Sequence, residues 1–259
     1  MRNWRRGRVP ARRVPEPETL PGYWWRGRPN FGDLLTPLLA ERFTDVRLVW
    51  APAACARVVI SGSILEHLPT GWTGIVAGAG KLHEASTLDL SQATVLGLRG
   101  PLTARGIPGD YVLGDVGLIA DELVTGVEKV HNLGIVPHWS DAALEHRPEF
   151  KRYHPLIIRT GADPLTVIRQ IGSCRKIVAS SLHGLILADA FGIPRRTELL
   201  PRPTHEGGDF KYRDHAAAVG LPFVLGLTQE APRHIVQERQ HALWDMLSKA
   251  GRRLMGGTW

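Results

Sequence analysis

The stretch Val178–Pro194, VASSLHGLILADAFGIP, decides the fold of the region around it. The apolar run Lys176–Ala179 (KIVA) predicts a buried strand that ends in two serines. Leu-His-Gly follows, and then a helix carrying Leu185, Ile186, Leu187, Ala188, Ala190 and Phe191. Gly192 with Pro194 just beyond is a helix stop signal, because glycine accepts the left-handed cap and proline cannot continue the helix. Ser180, Ser181 and His183 therefore lie where the carboxyl end of a strand meets the amino end of a helix. Open α/β sheets bind ligands at that edge, and the free N–H groups of a helix start favour an anion there. A histidine so placed can hold an anion, move a proton, or do both.

The flanking sequence repeats this pattern. Upstream, Pro164–Ser173 predicts a helix with Leu165, Ile168 and Ile171 spaced for burial, and Leu156–Arg159 a strand. Leu133–Pro137 predicts another strand, which runs into the polar cluster His138-Trp139-Ser140-Asp141. Ala142–His154 reads as an exposed helix and loop. Nearer the amino terminus, strands are expected at Val46–Trp50, Val58–Ser61, Gly74–Ala77, Val95–Arg99 and Tyr111–Leu113. The second ends in Gly62-Ser63, the third in Gly78-Ala79-Gly80 and the last in Gly114-Asp115, small residues that permit close backbone approach. Arg99 stands at a strand end followed by Gly100-Pro101, a place suited to bidentate pairing with carboxylate or phosphate. Asn30-Phe31-Gly32-Asp33 feeds a helix with Leu34, Leu35, Leu38, Leu39 and Phe43 on one face. Asp33 is its cap or first-turn acid, and Pro37 is expected in its first turn. Strand–helix alternation on both sides of residue 125 predicts an α/β fold of two parallel-sheet halves. The expected organisation is a basic leader (1–22), an N-terminal domain (23–125), a C-terminal domain with SSLHG (126–232) and a C-terminal helix (233–259). Arg195–Leu200 reads as an edge strand, and the segment with Gly207, Gly208, Lys211 and Arg213 as a mobile charged loop able to close over an anion.

Composition narrows the classes of function. Six arginines (Arg2, Arg5, Arg6, Arg8, Arg12, Arg13) supply most of the formal net charge of +7, so the basicity is concentrated in one arm. No apolar core follows the arm, which excludes a secretory signal. Its default role is a solvated leader, and its alternative is peripheral contact with an anionic membrane. A nucleic-acid partner is not expected, since no aromatic platform is interleaved with these charges. Cys55 and Cys174 lie far apart and are expected as buried apolar residues in a reducing compartment. No repeat, P-loop, GxGxxG fingerprint or metal-type His/Cys spacing occurs.

The pieces NFGDLLTPLL, VISGSIL, GLRGPLTARG, LGDVGLIADEL, GIVPHWSD, PLTVIRQIGSCRKIVASSLHGLILADAFGIP and GGDFKYRD, in this order, resemble the polysaccharide pyruvyl transferase family. The resemblance implies two Rossmann-like domains facing a cleft, similar to the glycosyltransferase-B type. It also implies transfer of the enolpyruvyl skeleton of phosphoenolpyruvate to a hydroxyl pair on a sugar, giving a ketal and phosphate. By the same resemblance His183 is the functional acid/base or phosphate-binding group, and Arg99 holds the carboxylate or phosphate of the donor. Lys211 and Arg213 are further anion contacts. Asp33, Asp115 and His138 fall at recurrent polar positions that bind acceptor or orient His183, and Ser180, Ser181, Gly62 and Ser63 are further substrate contacts. Leu182 stands where some members carry arginine, which leaves the carboxylate to another cation. The implied partners are phosphoenolpyruvate and a lipid- or nucleotide-linked saccharide of the cell envelope. No cofactor or metal is implied, and the expected location is the cytoplasm or the inner face of the membrane. A nucleotide-sugar glycosyltransferase and a non-catalytic sugar- or anion-binding relative are the alternatives.

Overall fold

The computed structural model describes residues 18–44, 46–199 and 207–256. The chain is an α/β protein with two parallel-rich sheets, each flanked by helices. The first sheet opens with β1 (Glu18–Gly22), after which the chain forms helix α1 (Phe31–Thr44) and β2 (Val46–Trp50). Short strands β3 (Val58–Val59), β4 (Ile75–Ala77) and β5 (Thr94–Leu98) follow, then helix α2 (Pro101–Ala104) and β6 (Val112–Leu113). Their order is β2-β1-β3-β4-β5-β6, with every pairing parallel. A 3₁₀ segment, Val116–Leu123, leads to the second sheet. There β7 (Gly134–Val136), helix α3 (Pro148–Lys151), β8 (Leu156–Ile157), helix α4 (Pro164–Gly172) and β9 (Ile177–Ala179) come in turn. Helix α5 (Leu182–Ala190), β10 (Arg195–Thr197), helix α6 (Phe210–Ala218), β11 (Thr228–Gln229) and helix α7 (Arg233–Leu254) complete the chain. The sheet order is β11-β10-β9-β7-β8, antiparallel only at β10–β11.

Several expectations are corrected. Residues 18–22, assigned above to the leader, form an interior strand that pairs with β2 from Glu18↔Val46 to Gly22↔Trp50 and with β3 at Gly22↔Val58. Pro21 and Gly22 read as loop formers, but Pro21 needs only its carbonyl here, which accepts from Arg57 N (2.8 Å). The arginine arm upstream lies outside the described residues. β10 is interior rather than an edge, because the two-residue β11 covers its outer side. The expected mobile loop at 207–214 is instead a turn followed by α6, whose Phe210, Tyr212, Asp214 and His215 are buried. A helix face that buries Asp214 and His215 gives no apolar periodicity in the sequence. Pro37 falls inside α1 rather than in its first turn, withdrawing the N–H that would reach the Asp33 carbonyl. On α4, Val167, Ile168 and Ile171 are buried while Leu165 is exposed. Cys174 is buried but Cys55 is exposed.

One core joins the halves. Helix α5 is buried along its whole length between the second sheet and the 116–123 segment. Helix α7 returns to the first sheet with Val236, Leu243, Met246, Leu247, Ala250 and Leu254 buried. Gly97 makes room for it, since a Cβ there would come within 2.2 Å of Met246 Sδ. Among the described residues no helix is long and apolar enough to cross a membrane.

Candidate active site

Parallel strands place their carboxyl ends along one edge, and five of these ends carry polar residues: Ser61 beyond β3, Arg99 beyond β5, Asp115 beyond β6, His138 beyond β7, and Ser180 and Ser181 beyond β9. A cleft of about 330 Å³ opens at this edge. Asn30 and Asp33 line it from the first half, with Ser63, Trp25 and His67. His138, Trp139, Ser181, His183 and Lys211 line it from the second. Helix α1 reaches across because Phe31 N donates to Thr160 O (2.7 Å) beyond β8.

His183 sits in the first turn of α5, capped by Ser181, whose Oγ accepts from Gly184 N. The imidazole packs edge-on to Phe31 and over Gly32, where an added Cβ would lie 2.0 Å from Nδ1. Its Nε2 lies 3.1 Å from Ser61 Oγ, and Ser61 Oγ donates to Asp115 Oδ1 (3.2 Å), which also accepts from Gly117 N (2.9 Å). Burial lowers the pKa of His183; Asp115 opposes the shift, while Lys211, Arg99 and His215 reinforce it. The ring is thus neutral near pH 7. Asp33 behaves in the opposite sense. Burial, with a small addition from Asp115, pushes it up to about 7, although an Asn30 Nδ2 hydrogen bond to Oδ2 (2.6 Å) and Lys211 pull it down. A carboxyl group whose pKa is raised and an imidazole whose pKa is lowered share the cleft, an arrangement suited to acid/base work.

The other expected contacts divide into those at the cleft and those behind it. Ser63, Ser181, His138 and Lys211 line it. Arg99 does not. It is 0% exposed, and its Nε donates to Asp214 Oδ2 (2.9 Å), Nη1 to Ser63 Oγ (2.6 Å) and Nη2 to Lys81 O (2.7 Å). Asp214 also accepts from Leu102 N, Thr103 N and Thr103 Oγ1, so Arg99 pins α6 to the first half. Arg213 turns outward to Glu84 (2.6 Å) and Asp209 (2.9 Å) rather than into the cleft. Ser180 is buried, its Oγ accepting from His138 N (2.9 Å) and its carbonyl from Tyr212 OH (2.7 Å). Gly62, at φ +104°, lets the chain pass Asp33 closely, and Asp115 lies behind His183. Sequence reasoning missed Ser61, Asn30, Trp25, His67, Trp139 and Asp214. Ser61 carried a signal, a serine ending an apolar strand as Ser180 does, whereas Asp214 carried none.

The geometry defines an α/β protein of two sheet-flanked regions with a cleft at its polar strand ends. The chain belongs to the polysaccharide pyruvyl transferase family, whose model matches residues 30–196. It is 29% identical over 216 residues to the succinoglycan biosynthesis protein ExoV of Rhizobium meliloti (strain 1021), an overlap covering 78% of this chain and 66% of that protein. The chain therefore spans just under two thirds of that relative's length. It is 30% identical over 210 residues to the uncharacterized protein L143 of Acanthamoeba polyphaga mimivirus, covering 74% of this chain and 71% of that protein. No solved structure matches the chain significantly.

Proposed function

We propose that this protein is a pyruvyl transferase that moves the enolpyruvyl group of phosphoenolpyruvate onto a hydroxyl pair of a cell-envelope saccharide. The observation that carries this reading is a single cleft lined by His183, Asp33 and Lys211, in which burial lowers the pKa of His183 and raises that of Asp33. In the reaction two sugar O–H bonds break and two C–O bonds form at C2 of the donor. One of the released protons converts the methylene carbon to methyl, and the other leaves with phosphate. Asp33 delivers the first, and His183 accepts a proton from the attacking hydroxyl. Lys211 and the start of α5 attract the phosphate and carboxylate, because the first N–H groups of a helix lack partners within it. Trp25 and Trp139, the latter 47% exposed beneath the Arg28 guanidinium (4.6 Å), offer ring surface to the C–H face of the acceptor.

In this reading the two sheet-flanked regions are glycosyltransferase-B-like halves meeting near residue 125. The likeness to ExoV, a succinoglycan biosynthesis protein, favours an envelope polysaccharide or its lipid- or nucleotide-linked precursor. The arginine arm suits work at the cytoplasmic face of an anionic membrane. Thermal unfolding tests the donor. Phosphoenolpyruvate is expected to raise the Tm in proportion to the logarithm of its concentration, and His183→Ala to keep the fold but abolish phosphate release. Stabilisation by nucleoside diphosphate sugars but not by phosphoenolpyruvate would replace this reading with a glycosyltransferase.

A further inference from the structure

The hydroxyl of Ser61 has one proton and two claimants. Asp115 Oδ1 lies 3.2 Å away on one side and His183 Nε2 3.1 Å away on the other. A carboxylate only accepts, so the Ser61 proton goes to Asp115, and the Ser61 oxygen then accepts from an Nε2–H. The other ring nitrogen is not drawn on by the helix beside it. Nδ1 lies against the first turn of α1, where a Cβ on Gly32 would approach it to 2.0 Å. The first amides of that turn donate elsewhere, Phe31 N to Thr160 O (2.7 Å) and Gly32 N to Asn30 Oδ1 (3.3 Å), so neither claims Nδ1. Asp115 Oδ2, by contrast, is buried with no hydrogen-bond partner among the described residues.

We propose that Ser61 and Asp115 are positioning residues that lock His183 in the Nε2–H tautomer and keep Nδ1 as the proton acceptor of the cleft. The tautomer itself is independent of the substrate; only the identity of the proton donor, a sugar hydroxyl, rests on the pyruvyl-transferase reading. As that hydroxyl forms its C–O bond to C2, its proton passes to Nδ1. Asp115 stabilises the resulting imidazolium through the Ser61 hydroxyl, while Lys211, Arg99 and His215 oppose the charge. When the bond from C2 to the phosphate oxygen breaks, the departing phosphate takes the proton from Nδ1 and the ring is neutral again. Ser61 joins the two halves of the molecule in this relay, since it follows β3 of the first sheet and His183 follows β9 of the second.

The test is a long-range ¹H–¹⁵N correlation spectrum of ¹⁵N-histidine-labelled protein above pH 7, with the His183 signals identified by their loss in His183→Ala. The expected pattern is a single Nε2–H tautomer in the wild type, a tautomer mixture in Ser61→Ala, and return of the single tautomer in Ser61→Thr. Phosphoenolpyruvate-dependent phosphate release is measured on the same proteins. Ser61→Ala is expected to lose about 10²-fold in kcat with little change in KM for phosphoenolpyruvate. An Nδ1–H tautomer in the wild type would overturn the relay, and so would a Ser61→Ala spectrum identical to wild type. The wild-type spectrum decides the matter even if Ser61→Ala fails to fold. A locked tautomer without any phosphoenolpyruvate turnover would support the relay and overturn the transferase reading, so the two fail separately.

Discussion

Replacing Arg99 by methionine separates two roles that one arginine could play at this strand end. In the structure the guanidinium and the Asp214 carboxylate are both 0% exposed and 2.9 Å apart. Methionine keeps most of the apolar stem but leaves Asp214 with donors from Leu102 N (2.8 Å), Thr103 N (3.0 Å) and Thr103 Oγ1 (2.6 Å) and no counter-charge. Removing one partner of a buried pair costs about 3–5 kcal/mol, a large part of the roughly 5–15 kcal/mol that stabilises a folded domain. With a urea slope of about 2–3 kcal/mol/M, the unfolding midpoint falls by ~1–2 M. Asp214→Asn should cost a similar amount. The double variant Arg99→Met/Asp214→Asn should cost less than the two together, by about 1–3 kcal/mol, because the second change removes the stranded charge. Urea unfolding followed by circular dichroism measures all three. An unchanged midpoint in Arg99→Met, with only a raised KM for phosphoenolpyruvate, would refute the latch and return Arg99 to direct donor binding.

Further perturbations address the cleft. Gly32→Ala places a methyl within 2.0 Å of His183 Nδ1, so the ring must move; kcat should fall about 10²-fold while far-UV circular dichroism is retained, and full turnover would contradict the packing. Asp33 carries its proton in the folded state up to about pH 7 but in the unfolded chain only to its ordinary 3.8, so its contribution to stability is lost as pH rises through that window. The stability difference between Asp33→Asn and wild type should therefore shift in favour of the variant by on the order of 4 kcal/mol across it, read by urea unfolding at its two ends. In turnover the same titration gives an alkaline limb near pH 7, and the lowered pKa of His183 puts the acid limb below 6.5; a profile flat across neutrality would contradict both assignments. Lys211→Met should raise KM for phosphoenolpyruvate about tenfold or more, and an unchanged KM would remove Lys211 from donor binding.

Much of the site was legible because it sits at strand ends, where short apolar runs stop and polar residues begin. Ser181, His183 and His138 could be placed at the cleft from that pattern alone, and the two-sheet α/β alternation followed from the same runs. What stayed hidden depended on contacts distant in sequence. Glu18–Gly22 reads as a loop because Pro21 and Gly22 oppose strand formation, and only the neighbours β2 and β3 make it a strand. Helix α6 reads as a charged loop because two of its inward residues, Asp214 and His215, are polar and find partners in Arg99 and Asp189. Arg99 stands where a ligand cation would stand, yet its partner is 115 residues away in the same chain. Gly32 was read only as part of the stretch that feeds a helix, and its reason is the imidazole ring that occupies the place of a side chain.

The central claim, that this cleft makes a pyruvate ketal, is tested most directly by following both products at once. The protein is given phosphoenolpyruvate labelled at its carboxyl carbon and a panel of nucleotide- and lipid-linked saccharides. The account predicts that with one class of acceptor the label moves into the saccharide, one phosphate appears for each label transferred, and both stop in His183→Ala. Phosphate release without label in any saccharide, or label transfer that survives His183→Ala, would contradict it.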